Sequence, residues 1–336
     1  MQHTLHRAQR GAPASPAPAV SIRLIAVALL AAVTVIFAGC ASLAGSGQSA
    51  SADMPVIDGI GITLFAAGDI ADCRQIPAAK TGAARTAALI AGNLANDPAA
   101  LVLALGDTSY PAGLPEEYEN CYAPTWGRFK AQTLPAPGNH EYYTKGAPGY
   151  FGYFGALAGP EQRGYYSKDV GNWHLVSLNS NLRPPASTAQ QAWLVEDLAQ
   201  LRRRNADGCV LAYWHHPVYS SGGHGNNAHM RATWQALMAA RADVVLSAHD
   251  HDYERFAPQD ADANRDERNG IRSFVVGTGG AELDPFTLTK PHSQAQENLT
   301  HGVLKMVLKR AGYEWAFLPV DGKPARDAGS ARCHSG

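Results

Sequence analysis

The chain has 336 residues, 46% hydrophobic and 17% charged, enough to bury a sizeable core as one large domain. Its 28 Lys and Arg nearly balance 29 Asp and Glu, leaving a formal net charge of -1. With no basic surplus and no DNA-binding or RNA-binding motif, a nucleic-acid polymer is excluded as a partner.

Arg7, Arg10 and Arg23 precede the apolar stretch LIAVALLAAVTVIFAGC, so residues 1–40 read as an export signal. The stretch is shorter than the roughly 20 apolar residues that span a bilayer, which argues against a permanent transmembrane helix. Phe37, Ala38, Gly39 and Cys40 resemble a bacterial lipobox, with Phe37 in place of the usual Leu. That resemblance implies a lipid anchor at Cys40 and a cell-envelope lipoprotein facing the periplasm or the exterior. A simply cleaved signal, giving a secreted protein, or a retained signal is the alternative. Residues 41–55, ASLAGSGQSASADMP, are small, polar and aperiodic, as in a flexible tether. The folded domain is expected over residues 56–336.

Within that domain, short apolar runs (ITLFAA, LVLAL, WHLVSLN, CVLAYW, VVLSA) alternate with longer amphipathic segments. The segments include TAALIAGNLA, PEEYENCYAPTWGRFK, TAQQAWLVEDLAQLRRR and MRATWQALMAARA. Such alternation predicts an α/β fold whose central strands are buried on both faces. In the tail, SFVVGTG, GVLKMVLKR and YEWAFLPV read as strands without intervening helices, predicting a sheet edge built from hairpins.

Of five cysteines, setting aside Cys40 leaves Cys73, Cys121, Cys209 and Cys333, an even number that suits an oxidising compartment. Their spacing is not that of a zinc cluster, so two disulfides are expected. Three pairings are possible; the loop positions of Cys73 and Cys121, each just after a candidate metal motif, favour joining those two and leave Cys209 for Cys333.

The chemistry-bearing residues sit where the apolar runs stop. LFAAGDI ends near Asp69, LVLALGDTSY carries Asp107 and Tyr110, and LPAPGNHEY carries Asn139 and His140. VLAYWHHPVY carries His215, and VVLSAHDH carries His249 and His251, whose i, i+2 spacing lets both imidazoles reach one small site. Ligands of open α/β sheets bind beyond the carboxyl ends of the strands, so the five loops are expected to converge on one crevice, suited to a metal centre. Each piece alone has a bland reading: Asp69 as a helix cap, Tyr110 as a packed aromatic, a strand-end histidine as a core residue.

The ordered set, over Ile62 to Phe256, resembles the calcineurin-like metallophosphoesterase superfamily. GDTSY and HDHDYER identify its purple acid phosphatase branch, here of a bacterial type lacking the N-terminal β-sandwich, for which there is no room between Cys40 and Asp69. The resemblance implies a four-layer αββα sandwich. It also implies acid phosphatase-like hydrolysis of small phosphate monoesters by a hydroxide held between two metal ions. One ion would be held by Asp69, Asp107, Tyr110 and His251, the other by Asp107, Asn139, His215 and His249, with Asp107 shared. Asp69-Ile70-Ala71 lacks the histidine of the usual Asp-x-His. Tyr110 replaces that donor, and a phenol of ordinary pKa about 10 binds as phenolate to a strong Lewis acid, favouring Fe(3+). The other site would take Zn(2+), Mn(2+) or Fe(2+).

His140 and His224 would assist the leaving group as catalytic residues, although Gly225 stands where some members have a further histidine; His224 reads equally as an exposed surface residue. Ala248 replaces the usual Gly before His249. His216 is expected to point away from the metals as a hydrogen-bonded residue, His174, His229, His292 and His301 to be structural or exposed, and Glu254 with Arg255 to form a buried pair. The alternatives in function are a phosphodiesterase or nucleotide hydrolase with the same centre and a surface lipoprotein without turnover.

Overall fold

The computed structural model describes residues 61–74 and 76–334, so the signal, lipobox and tether lie outside the described residues. Among the described residues thirteen strands form two sheets. The first sheet takes β1 (Ile62–Ala67), β2 (Leu101–Leu105) and β3 (Thr133–Ala136) from the beginning of the domain. The second takes β4 (Tyr166–Val170), β5 (Trp173–Ser177), β6 (Cys209–Tyr213), β7 (Val244–Ser247), β8 (Tyr253–Phe256), β9 (Arg272–Val276) and β10 (Ser293–Glu297). The chain then returns to the first sheet with β11 (Gly302–Lys309), β12 (Gly312–Pro319) and β13 (Ala328–Arg332). The orders are β13-β12-β11-β1-β2-β3 and β10-β8-β9-β7-β6-β5-β4.

Strand β6 shows why its sequence is continuously apolar. Successive side chains point to opposite faces. Cys209, Leu211 and Tyr213 enter the core between the sheets, while Val210 and Ala212 face outward. The outward pair meets Leu194, Leu198 and Leu201 of the helix Ala186–Arg204 and Trp234 and Leu237 of the helix Arg231–Ala239. On the first sheet the helix Gly82–Leu94 buries Ala83, Ala87 and Ile90, a 4-3 spacing that makes one apolar stripe, and its Thr81 cap accepts from the Ala84 amide. Helices therefore flank both sheets, the expected four-layer α/β arrangement. The tail forms the antiparallel ladder β11-β12-β13 at the edge of the first sheet, also as expected.

One segment departs from expectation. PEEYENCYAPTWGRFK breaks into short pieces, Pro115–Glu117, a π-helical turn Tyr118–Tyr122 and a 3-10 stretch Trp126–Gln132. Pro124 offers no amide to continue a helix. Tyr118, Tyr122 and Trp126 are all buried, with Tyr118 stacked on Tyr153, so tertiary packing overrides the helical period. The same segment is tied to the loop after β1 by the disulfide Cys73–Cys121. The second bridge, Cys209–Cys333, joins the first residue of β6 to the tail after β13 and so links the two sheets. Among the described residues no helix is long and apolar enough to cross a membrane.

For function the decisive feature is direction. β1, β2 and β3 run parallel, as do β5, β6, β7 and β9. Their carboxyl ends open on one edge of the sandwich, where the five motif loops meet.

Candidate metal centre

Asp69, Asp107, His215 and His249 each lie two residues beyond their strands, and Asn139 lies three beyond β3. Asp69, Asp107 and His249 have φ of 56°, 46° and 74°. Left-handed backbone at a non-glycine residue costs about 1 to 3 kcal/mol and persists where surrounding contacts impose it. Here it turns the chain sharply at the strand end and delivers the side chain to the crevice. Two glycines allow the crowding that follows. A Cβ on Gly106, at φ 89°, would lie 2.7 Å from His215 Nδ1, and one on Gly138 would lie 2.1 Å from Asp107 Oδ1.

One half of the crevice joins three loops. The Tyr110 hydroxyl donates to Asp69 Oδ1 at 2.9 Å and lies 3.2 Å from His251 Nε2, which is itself 3.4 Å from Asp69 Oδ1. His251 Nδ1 donates to the Glu282 carbonyl at 2.6 Å, so Nε2 is the ring nitrogen that faces inward.

The other half gathers acceptors. His215 Nε2 is 3.1 Å from Asp107 Oδ2, 3.1 Å from Asn139 Oδ1 and 3.1 Å from His249 Nδ1. His215 Nδ1 donates to the Leu105 carbonyl, and the Asn139 amide nitrogen donates to Tyr143, so both residues turn lone pairs toward the cluster. Carboxylate, amide oxygen and imidazole lone pairs converging within hydrogen-bond distance need a positive charge among them. Burial disfavours charge on His215, yet the neighbouring Asp107 prevails and raises its pKa to about 9. A proton there answers the demand that a cation would meet. The two halves touch, because ligand atoms of Asp69, Asp107 and His215 lie within 4.8 Å of one another. The donor set, carboxylates, phenol, amide oxygen and imidazoles, fits divalent or trivalent transition metals.

His140 stands at the mouth, its ring 4.3 Å from Tyr110, with Nδ1 2.6 Å from the Pro111 carbonyl and Nε2 3.8 Å from Asp107 Oδ2. His224 is exposed but stacks on His249 at 4.2 Å, and its amide donates to Asp250. All nine residues singled out in the sequence therefore surround one crevice.

His216 departs from its expected direction. It is hydrogen-bonded to Ser180, but its ring lies 4.5 Å from His249 and 5.0 Å from His215. The chain bends at these residues before Pro217, so strand alternation no longer separates neighbours. Glu254 and Arg255 are not paired. As neighbours on β8 they face opposite sides: Arg255 binds Asp327, whereas Glu254 accepts from Ser221 and Ser293. Sequence reasoning missed Glu141. Buried in the GNHEY motif, it accepts from the amides of Gly138, Asp107 and Thr108, pinning the β2 and β3 loops together. An acidic residue directly after a candidate ligand pair was the available signal.

The calcineurin-like phosphoesterase profile matches residues 62–253. The chain belongs to that family. Among the relatives of this calcineurin-like phosphoesterase, purple acid phosphatase 22 of Arabidopsis thaliana is 34% identical over 164 residues, covering 45% of this chain and 36% of that protein. The chain thus spans about a third of the length of the curated relative. The purple acid phosphatase PPD1 of yellow lupin superposes with a TM-score of 0.62 at 20% identity, over 83% of this chain and 55% of that one. GAP50, described as the anchor in the inner membrane complex of Plasmodium, superposes with a TM-score of 0.63 at 13% identity, over 82% and 90%. Both likenesses establish a shared fold.

Proposed function

We propose that this calcineurin-like phosphoesterase is an exported, purple acid phosphatase-like enzyme that hydrolyses small phosphate monoesters at a binuclear metal centre. The observation that carries the reading is the meeting of the two side-chain clusters, where ligand atoms of Asp69, Asp107 and His215 lie within 4.8 Å of one another. Asp69, Tyr110, His251 and Asp107 would hold Fe(3+), and Asp107, Asn139, His215 and His249 would hold Zn(2+), Mn(2+) or Fe(2+). Such ions, when bound, supply the Lewis acidity that makes water a nucleophile near neutral pH and offsets phosphoryl charge.

The chain's own residues do the rest. A water oxygen bonds to phosphorus as the ester P–O bond breaks, and the departing alkoxide takes a proton. His140 is held by Pro111 through Nδ1, leaving Nε2 toward the crevice, and His224 caps the His249 side. Donation from these two rings to the leaving oxygen is worth about 10² to 10⁴ in rate.

Asn139→Ala or His215→Ala should each lower bound metal by about one ion per chain and cut phosphatase activity at least about 100-fold, with the circular dichroism spectrum retained. Full occupancy with near-normal turnover in both would refute the centre. Export is supported by the two disulfides, which suit an oxidising compartment. For the lipid anchor, Cys40→Ser should move the protein out of the membrane fraction; unchanged fractionation would eliminate it.

A further inference from the structure

On the His249 side of the centre the histidine wall continues away from the crevice. The His216 ring lies 4.5 Å from His249 and 5.6 Å from His229. Ser180 holds both outer rings. Its hydroxyl accepts the His216 amide at 3.2 Å and lies 2.7 Å from His216 Nδ1, while its carbonyl accepts from His229 Nε2 at 2.7 Å.

Beyond His229 lies a groove of about 800 Å³ between the first turns of the helix Ala186–Arg204 and the start of the helix Arg231–Ala239. Much of its lining is carbon, from Leu182, Pro184, Ala192, Val195, Met230 and Ala232. Val195 is 53% exposed, a large apolar side chain facing water. The groove is far larger than a phosphate ion needs and falls in the size range of small-molecule sites. It starts two ring contacts away from a candidate metal ligand.

We propose that this groove receives the alcohol part of the ester, so that the preferred substrates are phosphate monoesters of long or bulky apolar alcohols. His216 stands at the boundary between the phosphate end and the apolar end. The proposal rests on the phosphatase reading above and specifies its substrate class. Apolar burial improves binding about 3- to 4-fold per methylene. It acts equally on bound substrate and transition state, so it should appear in KM with kcat unchanged.

The test uses the metal-loaded chain and a series of alkyl phosphates from methyl to decyl, with Val195→Glu as the variant. The position is exposed and helical, so glutamate is compatible with folding. In the wild type KM should fall steeply once the alkyl chain passes His216. In the variant KM for decyl phosphate should rise at least about 10-fold, with methyl phosphate kinetics and both kcat values unchanged. Equal KM along the series, or no effect of the variant, overturns the proposal while leaving methyl phosphate hydrolysis to support the phosphatase reading. Calorimetric titration of the metal-free protein with decylphosphonate judges the groove independently of turnover. Binding to wild type that is lost in Val195→Glu supports it, and no binding to wild type overturns it, even if no monoester is hydrolysed.

Discussion

Tyr110 donates its phenol proton to Asp69 across 2.9 Å, joining loops 41 residues apart in the chain. The other oxygen of Asp69 accepts the His249 amide at 2.8 Å, so one carboxylate ties together the ends of β1, β2 and β7. Burial, followed by the Asp69 charge, pushes the Tyr110 phenol well above its ordinary value. Only a strong cation at this position can displace that proton.

The visible spectrum tests the consequence. Protein loaded with ferric iron should show a tyrosinate charge-transfer band, absent from the metal-free protein. Tyr110→Phe keeps the ring and deletes the oxygen, so the band should vanish while thermal unfolding stays cooperative. A band of equal strength in the variant removes Tyr110 from the ligand set.

Glu141 carries a stability prediction. Its carboxylate accepts from the amides of Gly138 at 2.6 Å, Asp107 at 3.0 Å and Thr108 at 2.8 Å, and from the Thr108 hydroxyl at 2.9 Å. Each buried donor left without a partner costs about 1 to 3 kcal/mol, so Glu141→Ala should destabilise the protein by about 3 kcal/mol or more. Urea unfolding reads this directly. A loss under about 1 kcal/mol would mean that the loops hold their shape without the carboxylate.

His174 links stability to pH. It is buried on β5 between Asp169 at 2.6 Å and Asp197 at 2.7 Å. Burial opposes its charge, but the hydrogen bonds to Asp197 and Asp169 prevail and raise its pKa. A raised folded pKa contributes stability that is complete below the unfolded value of about 6.5 and is lost as pH rises through the folded value. Melting temperatures measured from pH 6 to pH 9 should therefore fall more steeply for wild type than for His174→Gln. Parallel curves would show that the pair of carboxylates does not favour the charged ring.

Much of the candidate site was legible because its signals are local. An apolar run of four to six residues predicts a strand buried on both faces, and a Gly-Asp or Gly-Asn directly after it predicts a sharp turn presenting a polar side chain. Three strand ends carry Gly-Asp or Gly-Asn and two carry histidines, and in one α/β chain these five ends point to one edge, since parallel strands bring their carboxyl ends together. Asp69, Asp107, Tyr110, Asn139, His140, His215, His249 and His251 could be named on that basis and by family resemblance, and the even set of cysteines predicted two bridges.

Partner choice was a different matter, because it depends on residues far apart in the chain. Glu254 and Arg255 look like a pair in sequence, yet strand alternation sends them to Ser221 and Asp327 on opposite faces. His216 turns toward His249 because the backbone bends before Pro217 and Ser180, 36 residues earlier, holds its ring. PEEYENCYAPTWGRFK has helical character, but burying Tyr118, Tyr122 and Trp126 together outweighs the local preference and breaks it into short turns. Sequence alone determined which residues have the chemistry and at which strand ends they stand, because those signals lie within a few residues of each other. Only the tertiary structure decided which lone pairs meet, which histidines form the wall and where the apolar groove opens, because packing contacts between distant segments set those distances.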